Sequence, residues 1–127
     1  MVASSLAPTL TVMDASAAID FYVRAFGATE GSRLETPTGQ IVAQMFVDGR
    51  EFFVVDENPD ALNLSPQTLG GTTVRMSLIV GDPDGTAARA LSAGATAVFP
   101  VDDQPYGLRQ GRVEDPFGHH WLIGTLT

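Results

Sequence analysis

Two stretches of this chain pass through the same hydrophobic periods in the same order. Residues 9–12 are β-prone. From Asp14 onward the apolar positions Ala18, Phe21, Tyr22, Ala25 and Phe26 fall on one helical stripe. Asp14 suits the start, because its carboxylate can accept the unpaired backbone N–H groups of a first turn. Gly27 suits the stop, because glycine enters the left-handed conformation at little cost. The pattern then recurs: residues 74–80 read as a strand, Asp82-Pro83 as a helix start, Ala87, Ala90 and Leu91 as the stripe, and Gly94 as the stop. Val12 and Asp14 return as Val80 and Asp82, 68 positions on, and both helices end in Gly-Ala-Thr. After each helix three short strands are expected, at 29–35, 40–47 and 51–55 and at 97–101, 109–114 and 119–126. Turns at 36–39, Asp48-Gly49 and 115–118 separate them; Asp-Gly between apolar runs is a strong hairpin signal.

The chain therefore reads as one strand–helix–strand–strand–strand unit of ~60 residues written twice, and repeats of this kind are best sought before anything else. The expected architecture is α+β: one domain, 1–127, made of two βαβββ modules at about 6–57 and 72–126. Residues 58–71, rich in Pro, Asn, Gly and Ser, join them. Two curved four-stranded sheets, each backed by a helix, would leave a concave face between them as a cleft, supplied either by one chain or by two.

Composition narrows the function classes. At 127 residues and 44% hydrophobic content the chain can bury a real core. Fifteen acidic against seven basic residues give a net charge of −8, which disfavours nucleic acid and anionic membrane and weakly favours cationic ligands. No cysteine occurs, which excludes disulfides, thiolate metal sites and cysteine nucleophiles. The first ten residues lack the pattern of a secretory signal, and no apolar run approaches the ~20 residues of a membrane helix. A cytoplasmic protein is the expectation, so Asn63-Leu64-Ser65 reads as a chance glycosylation pattern.

The segments Val12-Met13-Asp14, Ile19-Asp20-Phe21-Tyr22, Phe26-Gly27-Ala28 and 111–119 (Gly-Arg-Val-Glu-Asp-Pro-Phe-Gly-His) together resemble the vicinal oxygen chelate superfamily of glyoxalase I, bleomycin-resistance proteins and extradiol dioxygenases. The resemblance runs from about residue 6 to residue 125. It implies paired βαβββ modules, a cleft and usually a homodimer. In most enzymes of that superfamily it also implies a divalent metal held by His, Gln or Glu. Here the implied positions carry Ala7, Ser77, Leu122, and Phe53 or Val54, with a further alternative at Ala43. These side chains cannot hold Zn²⁺, Ni²⁺ or Fe²⁺ stably, so neither a metal nor another cofactor is expected.

His119 and His120 are the only imidazoles, and neighbours on a strand point to opposite faces, so they do not readily share one ion. If Leu122 faces the cleft, His120 does too, while His119 and Trp121 face the helix. Strand alternation and the resemblance together give a cleft lining of Thr9, Thr11, Met45, Ser77, Ile79, Arg112, Glu114, His120 and Leu122, with Tyr106 and Arg109 over the mouth. From these, Met45, Ser77, Tyr106, Arg109, Arg112, Glu114 and His120 are the expected ligand-binding residues; no catalytic residue is assigned. Arg112 and Glu114 read equally well as an ion pair. An apolar wall with a few convergent polar groups is the general form of a small-molecule site. The expected function is metal-independent binding of a drug or metabolite by a homodimer. The alternatives are a lyase, isomerase or dioxygenase using a displaced metal or a Glu114–His120 acid–base pair, and a bare interaction module.

Overall fold

The computed structural model describes residues 3–127; Met1 and Val2, which begin the stretch read for a secretory signal, lie outside the described residues. The first module runs β1 (Thr9–Val12), α1 (Ala15–Phe26), β2 (Thr29–Glu35), β3 (Ile41–Val47) and β4 (Arg50–Asp56). The second runs β5 (Arg75–Ile79), α3 (Pro83–Ala93), β6 (Thr96–Asp103), β7 (Leu108–Glu114) and β8 (His120–Leu126). Between them the connection is ordered by a 3₁₀ turn, Pro59–Ala61, and a single-turn helix α2 (Pro66–Leu69). Each module forms its own four-stranded mixed sheet, in the orders β1-β4-β3-β2 and β5-β8-β7-β6. In both, the first strand pairs in parallel with the last, and the other pairings are antiparallel.

The helix ends have the chemistry expected of them. Asp14 accepts from the N–H of Ala17 at 3.1 Å, and Asp82 from that of Gly85 at 3.0 Å. Gly27 closes α1 at φ 67°, its N–H turned back to the end of the helix. The stripe on α1 is wider than expected: Ala15 and Ile19 are buried with Ala18, Phe21, Tyr22, Ala25 and Phe26. On α3 the expectation fails in part. Ala90 is buried, but Leu91 points outward and is exposed, because α3 meets its neighbours through alanines.

One core serves both modules. The first sheet contributes Leu10, Val12, Ala43, Met45, Phe52 and Val54, and the second contributes Val113, Trp121 and Ile123. α1 packs against α3, and the rings of Tyr22, Phe26 and Phe52 surround Trp121 at centroid distances of 5.3, 4.5 and 5.9 Å. Fully burying a large apolar side chain of this kind stabilises by ~1.5–3 kcal/mol. The helix side of each sheet therefore faces the shared core. The opposite face of each sheet turns outward, and the two sheets do not close on one another within the chain. No helix among the described residues is long and apolar enough to cross a membrane.

Two buried side chains, Asp115 and His119, help fix how the modules meet, and at the surface Arg89 Nε donates to the Arg24 carbonyl oxygen at 2.6 Å. Asp115 is buried at the last hairpin turn: its Oδ2 accepts from Tyr22 Oη at 2.5 Å and Trp121 Nε1 at 2.9 Å, its Oδ1 from the N–H groups of Phe117 and His119. Burial, and then the neighbouring carboxylate, push the Tyr22 phenol well above its ordinary range. His119, also buried, donates from Nε2 to the Thr11 carbonyl oxygen at 2.8 Å, joining the second module to β1 of the first.

Candidate functional site

Residues paired across neighbouring strands share a face, so the register assigns the outward face of the second sheet row by row. Arg75, His120 and Glu114 make one row, Ser77, Leu122, Arg112 and Phe99 the next. Ile79, Gly124, Gln110 and Asp102 make the third. Gly124 leaves room for Gln110 to lie across the sheet; a Cβ there would come 2.9 Å from the Arg109 carbonyl oxygen and 3.1 Å from Gln110 Cβ. A cavity of about 390 Å³ opens on this face, lined by Arg75, Phe99, Gln104, Tyr106, Gln110 and Arg112 among others.

Arg112 of this lining is held by His120, which with Glu114 lines a neighbouring cavity beside Pro66 and Gly118. Arg112 Nε donates to His120 Nδ1 at 2.9 Å, which requires a lone pair on Nδ1 and so leaves the ring proton on Nε2. Nε2 lies 3.4 Å from Glu114 Oε1. Arg112 and Glu114 thus do not pair with each other: the imidazole stands between them. At the rim the Tyr106 hydroxyl donates to Gln110 Oε1 at 2.9 Å.

Five of the seven expected binding residues are on this face: Ser77, Tyr106, Arg112, Glu114 and His120. Met45 is not. It is 0% exposed in the core, paired with Phe52, because in the nearly all-apolar strand β3 the outward position belongs to Gln44. Arg109 is not there either. It reaches to the helix side, where Nε and Nη2 grip both oxygens of Asp84 on α3 at 2.8 Å and Nη1 meets Asp103 at 3.1 Å. This bidentate grip holds the Asp84 carboxyl below its ordinary range. Arg75, Phe99, Gln104 and Gln110 escaped the sequence reading. Counting by twos from Ser77 and Arg112 reaches Arg75 and Gln110. Phe99 is hidden because register shifts on either side of it break the alternation of β6.

The metal positions implied by the resemblance can be tested on this geometry. Ala43 and Val54 are buried on the helix side; Phe53 and Leu122 face outward but are apolar, and Ser77 stands opposite Leu122. Among the described residues no group of three His, Asp or Glu side chains is placed to hold an ion. The donors present do not fit a metal of the superfamily's kind.

A larger cavity, about 740 Å³, lies between β1 and the connection, bounded by Pro8 to Thr11, Leu69 and Gly70 to Val74. Its one titratable side chain is His119, already bound to the Thr11 carbonyl, so it offers no convergent chemistry.

Comparison with known proteins places this geometry. A family model described as the Glyoxalase/Bleomycin resistance protein/Dioxygenase superfamily matches residues 5–123. An uncharacterized protein of Mycobacterium bovis is 44% identical over 124 residues, spanning 94% of this chain and 82% of that protein. Among solved structures, TioX from Micromonospora sp. ML1 superposes with a TM-score of 0.71 at 29% identity, covering 98% of this chain and 100% of that one. The fosfomycin resistance protein FosX of Listeria monocytogenes superposes with a TM-score of 0.76 at 16% identity, over 100% of this chain and 96% of its own, a likeness of fold. The chain belongs to the glyoxalase/bleomycin resistance protein/dioxygenase superfamily.

Proposed function

We propose that this protein binds a small molecule on the outward face of its second sheet, without a metal, and that a second copy of the chain completes the cleft. The observation that supports the reading most is the composition of that face. Arg112, Gln110 and Tyr106 line one cavity there beside Phe99 and Leu122, with His120 bonded to Arg112, while the positions a superfamily metal would use carry Ala, Ser, Leu, Phe or Val. Such a mixture suits reversible recognition of a drug-sized molecule.

The test is a metal analysis of untagged protein together with a thermal-shift screen of a broad small-molecule library. The expected result is no stoichiometric Ni, Zn, Mn or Fe and a set of stabilising compounds that lose their effect in Arg112→Ala. A stoichiometric metal that disappears in His120→Ala would overturn the metal-independent reading. No shift with any compound would overturn the binding reading.

One observation favours a second reading. His120 Nε2 lies 3.4 Å from Glu114 Oε1 with Nδ1 already engaged, so the imidazole N–H steadies a half-exposed carboxylate that can take a proton from a bound molecule. Turnover of a screening hit that is lost in His120→Gln while binding persists would establish an enzyme.

A further inference from the structure

The outward face of the second sheet carries two arginines and two carboxylates, a balance the acidic chain as a whole does not have. All seven basic residues are arginines, set against fifteen carboxylates. Arg24, Arg33 and Arg109 are ion-paired. Arg75 and Arg112 line one cavity, and among the described residues neither has a carboxylate within 4.0 Å. Among the described residues Arg50 and Arg89 also lack a carboxylate partner, but only Arg75 and Arg112 line a common cavity, on the strands either side of β8, where an anion could meet both. Arg112 is also pre-oriented: Nε is fixed on His120 Nδ1, and its Nη groups make no hydrogen bond to the described residues. That leaves the planar fork, the geometry suited to an oxyanion, available.

Beside the guanidiniums lie two exposed rings. Phe99 is paired in register with Arg112 and is 61% exposed, and Tyr106 is 63% exposed. Exposed aromatics flanking unpaired arginines form a surface for a flat unsaturated body. Two carboxylates share the face. Glu114 is turned to His120 Nε2, and Asp102 sits beside Gln110, one row beyond Arg112, with its Oδ1 accepting the Asp103 N–H. A second negative charge near Asp102 would be repelled.

We infer that the ligand of this face is an organic monoanion with a flat, unsaturated body: its oxyanion is held by Arg75 and Arg112, its body by Phe99 and Tyr106. The inference rests on the binding reading above and narrows it. It also replaces the cationic preference drawn from net charge, since the local guanidiniums decide the bound state and the overall −8 acts only on approach.

The experiment titrates the full-length, isotope-labelled protein with three probes of one shape: 2-naphthoate, 2-naphthamide and 2-naphthylmethylammonium. Affinity is read by calorimetry and location by amide chemical shifts. Naphthoate is expected to bind at least about tenfold more tightly than the amide, the worth of one good charge-assisted contact, with the cation weakest and the shifts centred on β5, β7 and β8. Arg75→Gln and Arg112→Gln should each remove about tenfold of the naphthoate affinity and leave that for the amide within about twofold. Phe99→Leu should weaken both. If the amide or the cation binds this face as tightly as naphthoate, the anion assignment is wrong and the binding reading stands. If none of the three moves resonances of this face, both fall.

Discussion

At the residue scale the strongest organiser is Asp115, whose two oxygens take four donors drawn from both modules. Removing one donor and removing the acceptor are different experiments. Tyr22→Phe leaves Oδ2 with Trp121 alone and is expected to cost ~1–3 kcal/mol in urea denaturation. Asp115→Ala strands a buried hydroxyl, an indole N–H and two backbone N–H groups together, and should cost more than ~3 kcal/mol. Equal losses in the two variants would mean that the hydroxyl carries the whole tie. The sequence marks Asp115 as a turn residue within the family-like segment 111–119 and as a candidate partner of His120, but not as the acceptor of Tyr22, which lies 93 positions away with no local period linking them. The same blindness accounts for the two misplaced binding residues. Met45 and Gln44 are adjacent in a strand that is apolar at nearly every position, and Arg109 looks free until α3 brings Asp84 to it.

The elements were the most legible level, because their ends are marked by local chemistry. Asp14, Asp82 and Gly27 mark helix limits through bonds made within a few residues. Gly27→Ala is expected to cost ~1–2 kcal/mol through backbone strain alone, since the new Cβ would meet only Arg89 Nη1 at an ordinary 3.7 Å. Comparing its thermal midpoint with that of Gly27→Asn, which tolerates this conformation better, checks the cause; equal losses would refute it. The connection was less legible. It read as a plain linker, yet Ser65 is fully buried and caps α2, while Glu57 accepts its N–H at 2.8 Å and its hydroxyl at 3.0 Å. These bonds, the Ser65 N–H foremost, hold the Glu57 carboxyl below its ordinary range. A depressed carboxyl stabilises the fold above its unfolded pKa, and that contribution is lost as pH falls through the folded value. Glu57→Gln should therefore melt below the parent at pH 7, and the two melting curves should converge in acid below the carboxylate range. A constant gap at all pH values would show that charge is not involved.

At the scale of the molecule the duplication was plain from the two Val-x-Asp segments, but which faces the two sheets would turn on each other was not. That depends on α1 and α3 meeting between the sheets, a contact made largely by small side chains that carry no distinctive signal. The consequence is two outward faces. The second sheet exposes Ile79, Phe99 and Leu126, and the first leaves Val42, Phe46, Phe53 and Val55 only half covered. On the proposal that a second copy completes the cleft, this is the apolar surface it would cover. A chain with two similar halves can cover it isologously, the first sheet of one copy lying over the second sheet of its partner, which forms two equal clefts. Light scattering on eluting protein should then give twice the 13.4 kDa chain mass. Phe53 and Met45 separate association from folding, since they lie on neighbouring strands of one sheet and point to opposite faces. Phe53→Glu should halve the mass and keep the circular dichroism of the parent. Met45→Glu should lose the fold itself, since an unpaired carboxylate buried in the core costs several kcal/mol. A parent that elutes as a monomer at all concentrations, or a Phe53→Glu variant that remains a dimer, would show that these faces do not meet.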